Sequence, residues 1–465
     1  MIALTLTEIA DALGGRIVRG EPDAVITGSV ETDSRLVTAG SVFFALPGEH
    51  TDGALFVGAA VDAGAALIVA ERETDAGAAV IVVDDGVTAL AALARVVVAR
   101  VRALGRLRVV AVTGSNGKTT TKNLLHAVLA AEGRTVVPEG SFNNHVGAPM
   151  SMLRIDEDTE YLVVEMGASK IGEIARLIAI VVPDIGIVLK VGLAHAGEFG
   201  GIDAIQRAKA EMVTNLPPDA VALLNGDDPR VSAMADLTAA RVVRFGLGEV
   251  NDVRADDIDA TIDGTAFDYL ADGERRRVTL RILGEHHVAN ALATLAAARE
   301  LGVPAARAIA AIETVPRAER WRMELLDPGT GVTVINDAYN ASPDSTAAAL
   351  KTLAQLAQAG RRSIAVLGEM AELGEYSQEE HDRIGRLVVR LNIAQLVVVG
   401  ERARHIHAAA GLEGSWDGES VFVADAEAAY AFLREELRPG DVVLVKSSKS
   451  AGLRFLGDTL GGVTA

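Results

Sequence analysis

The sequence predicts an α/β protein of three domains. These are a central domain on a mostly parallel sheet of the P-loop type, a C-terminal Rossmann-like α/β domain, and a smaller N-terminal α/β domain. Three observations predict this. Short β-branched apolar runs alternate with helical patterns along most of the chain, and that alternation builds parallel sheets. One such run, Val109–Val112, enters a glycine-rich turn that opens a helical stretch, the layout of a phosphate-binding loop. The length of 465 residues corresponds to about three domains at roughly 150 residues each.

The N-terminal zone, residues 1–107, holds strand-like runs at Ile26–Val30, Ser41–Leu46, Ala66–Val69 and Val80–Val83. A long helical pattern at Ala89–Leu104, with arginines on one side, leads into the next zone. The central zone, residues 108–316, opens with Val109–Val112 and the helical stretch Thr119–Ala131, stopped by Gly133. Further strands are expected at Tyr161–Met166, Ile185–Leu189 and Ala220–Leu224, with a helix at Ile202–Val213. The third zone, residues 317–465, places strands at Val332–Ile335, Ser363–Leu367, Leu396–Val399, Val421–Val423 and Val442–Val445. Ser342 is a good N-cap and Pro343 suits the first helical position, so a helix starts there.

Composition excludes several function classes. Lysine and arginine number 44 against 63 aspartates and glutamates, a net charge of −19. A broad nucleic-acid or anionic-membrane surface needs a basic footprint, so neither partner is expected. Cysteine is absent, which excludes disulfides, iron–sulfur clusters and thiol nucleophiles. Any metal then rests on oxygen or histidine ligands, which favours a hard cation such as Mg2+. Met1–Asp11 lacks early basic residues, a poor start for a signal peptide. The most apolar run, Leu177–Leu193, is broken by Pro183, Asp184 and Lys190, so no membrane span is expected. The expected setting is cytoplasmic.

The sharpest local signal is Thr113-Gly114-Ser115-Asn116-Gly117-Lys118-Thr119-Thr120. It follows a strand and opens a helix, where backbone N–H groups cradle phosphates. Lys118 is expected to reach the β- and γ-phosphates of ATP, and the Thr119 hydroxyl to ligate Mg2+. The loop is a shortened Gly-x-x-Gly-Lys-Thr form, with Val112 where the longer pattern carries its first glycine. No Asn-Lys-x-Asp guanine signature accompanies it. Glu165, at the end of the run Leu162–Val164, sits where a Mg2+ ligand belongs beside such a loop.

This short loop and its surroundings resemble the Mur ligase family, ATP-dependent amide-bond-forming enzymes of cell-wall precursor synthesis, over nearly the whole chain. The resemblance is closest to the member that adds D-alanyl-D-alanine to UDP-N-acetylmuramoyl-tripeptide. It implies an N-terminal substrate domain, a central ATPase domain and a C-terminal acceptor domain. Asp33-Ser34-Arg35, Gly40–Leu46 and Gly48-Glu49-His50-Thr51-Asp52-Gly53 look like the segment that binds the nucleotide sugar, with Ser34 and Arg35 as contacts. Ser141–Gly147, with Asn143 and Asn144, looks like the loop facing the sugar peptide. His195, in Gly192-Leu193-Ala194-His195, looks like the ligand of a second Mg2+ ion. Lys209, by itself an ordinary lysine, is by resemblance the one that CO2 converts to a carbamate, a further metal ligand.

Gly284–Asn290 matches a family helix start in which Asn290 approaches the adenine. His286 and Asn290 share a helical face. Arg320, chosen over Arg322, looks like the arginine that reaches phosphate. Asn336–Ser345 is the most specific stretch, with Asp337 suited to the ATP ribose and Asn340 to the base. Leu367–Gly374 with His381, and Lys446–Ser450 with Lys446 and Ser448 toward the dipeptide, fit the same member. The sequence departs from the family at Lys190 and His287, where relatives carry asparagine, and at Leu193, Ser447 and Lys449.

The implied reaction activates the tripeptide carboxylate as an acyl phosphate. The amine of D-alanyl-D-alanine then displaces phosphate. Lys118, Arg320 and two Mg2+ ions, held by Thr119 with Glu165 and by His195 with Lys209, would supply positive charge. The outer domains are expected to rotate onto the centre, and the chain to work as a monomer. Two other readings stay open: a related ligase adding a diamino acid or glutamate, and a P-loop switch that makes no covalent product. Only a ligase requires both a carboxylate and an amine for ATP turnover.

Overall fold

The computed structural model describes every residue except 49, 50, 76, 317, 318, 358, 359, 415, 464 and 465. Glu49 and His50 of the segment expected to bind the nucleotide sugar, and Arg317 at the expected start of the third zone, therefore lie outside the described residues.

The phosphate loop grows from the middle of a nine-stranded sheet. Its order is Glu274–Leu280, Gly264–Ala271, Val253–Thr261, Arg241–Gly246, Val221–Asn225, Ile185–Val188, Arg108–Thr113, Tyr161–Glu165 and Thr135–Val136. The strands run parallel except for the hairpin pairings among Val253–Thr261, Gly264–Ala271 and Glu274–Leu280. Val109–Val112 is buried on both faces, as a covered parallel strand must be. On one face lie the helices Lys118–Ala130, His286–Glu300 and Ala305–Glu313. The other face carries Glu173–Val181 and Ile202–Thr214, whose core continues into the N-terminal domain.

That domain has five strands in the order Arg16–Arg19, Ala79–Val82, Leu67–Ala70, Val42–Phe44 and Val30–Glu31, parallel apart from the first. Its helix Leu6–Leu13 starts with a Thr5/Glu8 capping box and stops at Gly14, φ 63°. The helix Gly86–Ala103, capped by Asp85, packs against Leu6–Leu13, Gly147–Met152 and Glu173–Val181, and so ties this domain to the central one.

The third sheet has the order Glu324–Leu326, Thr333–Asn336, Val442–Lys446, Ser363–Leu367, Gln395–Val399 and Glu419–Val423. It is parallel except for the edge strand Glu324–Leu326. Pro343–Ala357, Ser377–Arg390 and Arg404–Gly411 cover one face. Ala426–Glu436 and Leu453–Leu460 cover the other.

Two features differ from expectation. The run Ile26–Val30 splits into Val25–Ile26, paired with Leu4–Thr5, and Val30–Glu31 in the five-stranded sheet. Gly28 lies at the break, where a Cβ would stand 2.0 Å from the Gly40 carbonyl oxygen. The hairpin region 253–280 forms three strands where no apolar run announces them. Its exposed face is an ion-pair ladder in which Arg275 meets Asp256 and Asp268, and Arg277 meets Asp257 and Asp268.

Candidate active site

The loop after Arg108–Thr113 is fixed by backbone that side chains would obstruct. Gly117 has φ 86°, and a Cβ there would stand 2.3 Å from Asn290 Oδ1. Thr113 Oγ1 donates to the Met166 carbonyl at 2.8 Å. The Ser115 N–H donates to the Lys190 carbonyl at 2.8 Å, and its hydroxyl donates to the Gly192 carbonyl at 2.9 Å. Lys118 folds back so that Nζ donates to the Gly114 carbonyl at 2.7 Å. Burial lowers its pKa, opposed by the nearby Glu165 carboxylate. A half-buried ammonium held by one carbonyl is poised for a stronger anionic partner.

Glu165 ends the neighbouring strand and is buried. Its Oε1 accepts from Asn143 Nδ2 at 2.7 Å, while the buried Oε2 has no hydrogen-bond partner among the described residues. An orphaned buried carboxylate oxygen in the cleft that Thr119 also lines fits a hard divalent cation. Among the described residues no group of three or more histidines or acids forms a ready cage. That suits Mg2+, which takes one or two carboxylates and completes its shell with phosphates and water.

A cleft of about 370 Å³ separates the loop from the third domain. Asn116, Thr120, His286, His287, Asn290, Asp337 and Asn340 line it. Asn290 Oδ1 accepts from the Thr121 hydroxyl at 3.4 Å, and Asn290 Nδ2 faces His287 Nδ1 at 3.2 Å. Burial lowers the His287 pKa well below the usual imidazole range, which favours its neutral ring, while His286 is exposed at the edge of the cleft. Asp337 Oδ1 accepts from the Met323 N–H at 3.0 Å, and Oδ2 from Lys446 Nζ at 2.5 Å. The third domain touches the loop directly. The Ser342 hydroxyl donates to Asn116 Oδ1 at 3.1 Å, and Lys190 pairs with Asp344 at 3.1 Å. Lys190 thus has its partner across the junction.

A second cavity of about 840 Å³ lies between the helix Gly86–Ala103 and the central domain. Arg95, Asn143, Asn144, Arg176, His195 and Lys209 line it. Lys209 is 3 % exposed, and burial pushes its amine down to about 7, with Lys118 adding to the effect. Its Nζ stands 5.7 Å from the centre of the Phe199 ring. Asn144 Oδ1 accepts from the Val146 and Gly147 N–H groups, shaping its own loop. A third cavity of about 550 Å³ is lined by His195, Tyr339, Asn340, Glu372, Ser448 and Arg454, among others. The Ser448 hydroxyl accepts from the Ala371 N–H at 2.8 Å and donates to the Ala341 carbonyl at 3.3 Å.

His195 lines all three cavities. Ser115, Lys118 and Asn143 line both the cleft and the largest cavity. The three spaces therefore meet beside the phosphate loop.

Three family models match the chain: the Mur ligase family catalytic domain over residues 27–106, the Mur ligase middle domain over 112–298, and the Mur ligase glutamate ligase domain over 321–449. The UDP-N-acetylmuramoyl-tripeptide–D-alanyl-D-alanine ligase of Mycobacterium bovis is 45 % identical, covering 99 % of this chain and 98 % of that protein. The chain belongs to the Mur ligase family. The Bacillus subtilis enzyme of the same name is 33 % identical, covering 97 % of both. A crystal structure of MurF from Acinetobacter baumannii superposes with a TM-score of 0.89 at 31 % identity, covering 99 % of both chains. MurF from Thermotoga maritima in complex with ADP gives 0.81 at 29 % identity, covering 94 % of this chain and 97 % of that one.

As a Mur ligase, the chain places its arginines differently from the sequence expectation. Arg320 is not among the described residues that line the cleft. It pairs with Asp458 at 3.0 Å and lies over the Trp321 ring at 4.7 Å. Arg322 lines the cleft instead, 4.2 Å over the Tyr339 ring. Its Nε stands 3.5 Å from Glu319 without a hydrogen bond. Lys446, expected beside the dipeptide, is buried and lines the cleft next to the phosphate loop, bonded there to Asp337. Ser34 and Arg35 sit in an exposed turn outside the three cavities, Arg35 paired with Asp33 at 2.5 Å. The Arg35 guanidinium and backbone N–H hold the Asp33 carboxyl down at about 2. Glu372 and Arg454 are cavity-lining groups that sequence reading does not single out as site residues. Glu372 lies inside the noted stretch Leu367–Gly374, which was the available signal.

Proposed function

We propose that the chain is the ATP-dependent ligase that joins D-alanyl-D-alanine to UDP-N-acetylmuramoyl-tripeptide, acting as a monomer in the cytoplasm. The observation that carries this reading is the meeting of three cavities at His195, one for each of a carboxylate donor, a nucleotide and an amine. A nucleotide switch needs only the cleft. The largest cavity suits the sugar peptide, with Asn143, Asn144 and His145 on its wall.

The tripeptide carboxylate oxygen attacks the γ-phosphorus, and the bond to the ADP oxygen breaks. The amine nitrogen then attacks the acyl carbon, the bond to the phosphate oxygen breaks, and the ammonium's two surplus protons pass to phosphate and solvent. Lys118 and Arg322 neutralise charge on the transferring phosphoryl group, which dominates catalysis of such a step. Thr113–Thr120 holds the phosphates with backbone N–H groups. Asn290, braced by Thr121 and His287, positions the base, and Asp337 with Asn340 lies beside the ribose and base. Bound Mg2+, held by Thr119 and Glu165, would supply further positive charge at the phosphates. Burial keeps a large neutral fraction of the Lys209 amine near pH 7, the form that adds CO2. The resulting carbamate would join His195 in holding a second cation. Contact between the third domain and the loop excludes water from an intermediate that water destroys.

The test supplies ATP, Mg2+, UDP-N-acetylmuramoyl-tripeptide and D-alanyl-D-alanine and weighs the product. A pentapeptide mass with one ADP per product is expected. No product, or equal ADP release without the dipeptide, would overturn the reading.

A further inference from the structure

The third cavity carries charge of both signs at separate places. Among the described residues lining it, Glu372 is the one carboxylate. Arg454 and Lys449 are its long cations. Glu372 also lines the largest cavity, so it stands at the doorway between the two. Arg454 does not.

Glu372 is held in place by the central domain. Its Oε2 lies 2.5 Å from His195 Nδ1, and its carbonyl accepts from the Gly197 N–H at 2.9 Å. Both partners have left-handed backbone, φ 64° at Glu372 and φ 61° at His195. Such a conformation costs a non-glycine residue roughly 1–2 kcal/mol, and it persists where surrounding structure enforces it, often at a ligand site. Arg454 is preset too. Its Nη1 donates to the Lys449 carbonyl at 2.8 Å, and its guanidinium lies 4.4 Å over the Phe455 ring and 5.5 Å from the Trp321 ring. A stacked guanidinium keeps its remaining N–H groups in a fixed fork suited to a carboxylate.

We propose that Glu372 and Arg454 are the two ends of a clamp for the acceptor's zwitterion, Glu372 receiving the ammonium and Arg454 the distant carboxylate. The proposal rests on the ligase reading above and adds the direction of binding. An extended dipeptide is about 7 Å long, so its charged ends fall on separate groups. Placing the anion at the doorway points the amine into the largest cavity, where the acyl group lies. The reversed arrangement would point a carboxylate at the acyl phosphate and give no amide.

Arg454→Gln and Glu372→Gln test this with two truncated ligands, each lacking one charge. Arg454→Gln is expected to raise the KM for D-alanyl-D-alanine about tenfold or more and to leave turnover of its C-terminal amide near that of the parent enzyme. Glu372→Gln is expected to raise the dipeptide KM similarly while leaving inhibition by N-propionyl-D-alanine, which lacks the amine, within about twofold. Equal losses on the dipeptide and the matching analogue would mean a purely structural role and overturn the clamp. A dipeptide KM within twofold of the parent in either variant would overturn it too. If the parent enzyme itself does not turn over D-alanyl-D-alanine, the ligase reading fails instead.

Discussion

Replacing Lys209 by methionine isolates the effect of its burial. Methionine has similar volume, no charge and no route to a carbamate. In the unfolded chain the amine titrates at about 10.5, and in the folded protein burial brings it to about 7. At 1.36 kcal/mol per pH unit this gap is about 5 kcal/mol. The sign follows from proton counting. Between about pH 7 and 10.5 the unfolded chain binds the proton and the folded one does not, so stability rises with pH across that window and is flat below it. Lys209→Met removes the slope. Its advantage over the parent is expected to be about 5 kcal/mol at pH 6 and to shrink to about 2 kcal/mol at pH 9. Urea unfolding followed by circular dichroism in CO2-free buffers measures both. A gap equal at the two pH values would refute the buried-amine reasoning. Ligase activity of the same variant should vanish, and full activity would remove the carbamate from the mechanism.

Other outcomes follow from the same geometry. Arg322→Ala should lower kcat about 10²- to 10³-fold, as losing one preorganised charge does, while Arg320→Ala should cost about 1 kcal/mol of stability or less because its ion pair is half-exposed; the opposite ranking in steady-state kinetics would restore Arg320 to the site. Glu165→Gln should raise the Mg2+ concentration for half-maximal ADP release at least tenfold, above the low end of the roughly 10- to 100-fold loss typical of a removed outer-shell partner, and an unchanged Mg2+ titration would clear Glu165 of metal binding. Gly117→Ala combines a strained φ of 86° with a contact 2.3 Å from Asn290 Oδ1, so ATP binding measured by calorimetry should be lost while far-ultraviolet dichroism stays native.

Much of the fold is legible because parallel strands buried on both faces read as unbroken apolar runs, as Val109–Val112 and Val442–Val445 do. The hairpin 253–280 is hidden because its outer face is arginine and aspartate, whose pairing is visible only across strands. The phosphate loop is legible because its glycines and lysine are contiguous. The choice between Arg320 and Arg322 is not. Trp321 and Met323 both have left-handed backbone, φ 60° and 49°, so neighbouring side chains leave in directions that spacing does not reveal. Lys446 lies at a strand end like a substrate group, yet Asp337, more than a hundred residues away in sequence, captures it. Glu372 looks like any loop acid until His195 is brought against it.

The central claim is that one chain activates a carboxylate with ATP and hands the acyl group to an amine. Its most direct test uses UDP-N-acetylmuramoyl-tripeptide labelled with 18O in the terminal carboxylate, turned over with ATP and D-alanyl-D-alanine. One 18O atom carried into the released phosphate is the predicted result, because the attacking carboxylate oxygen leaves with phosphorus. Unlabelled phosphate alongside product formation would contradict the acyl-phosphate route.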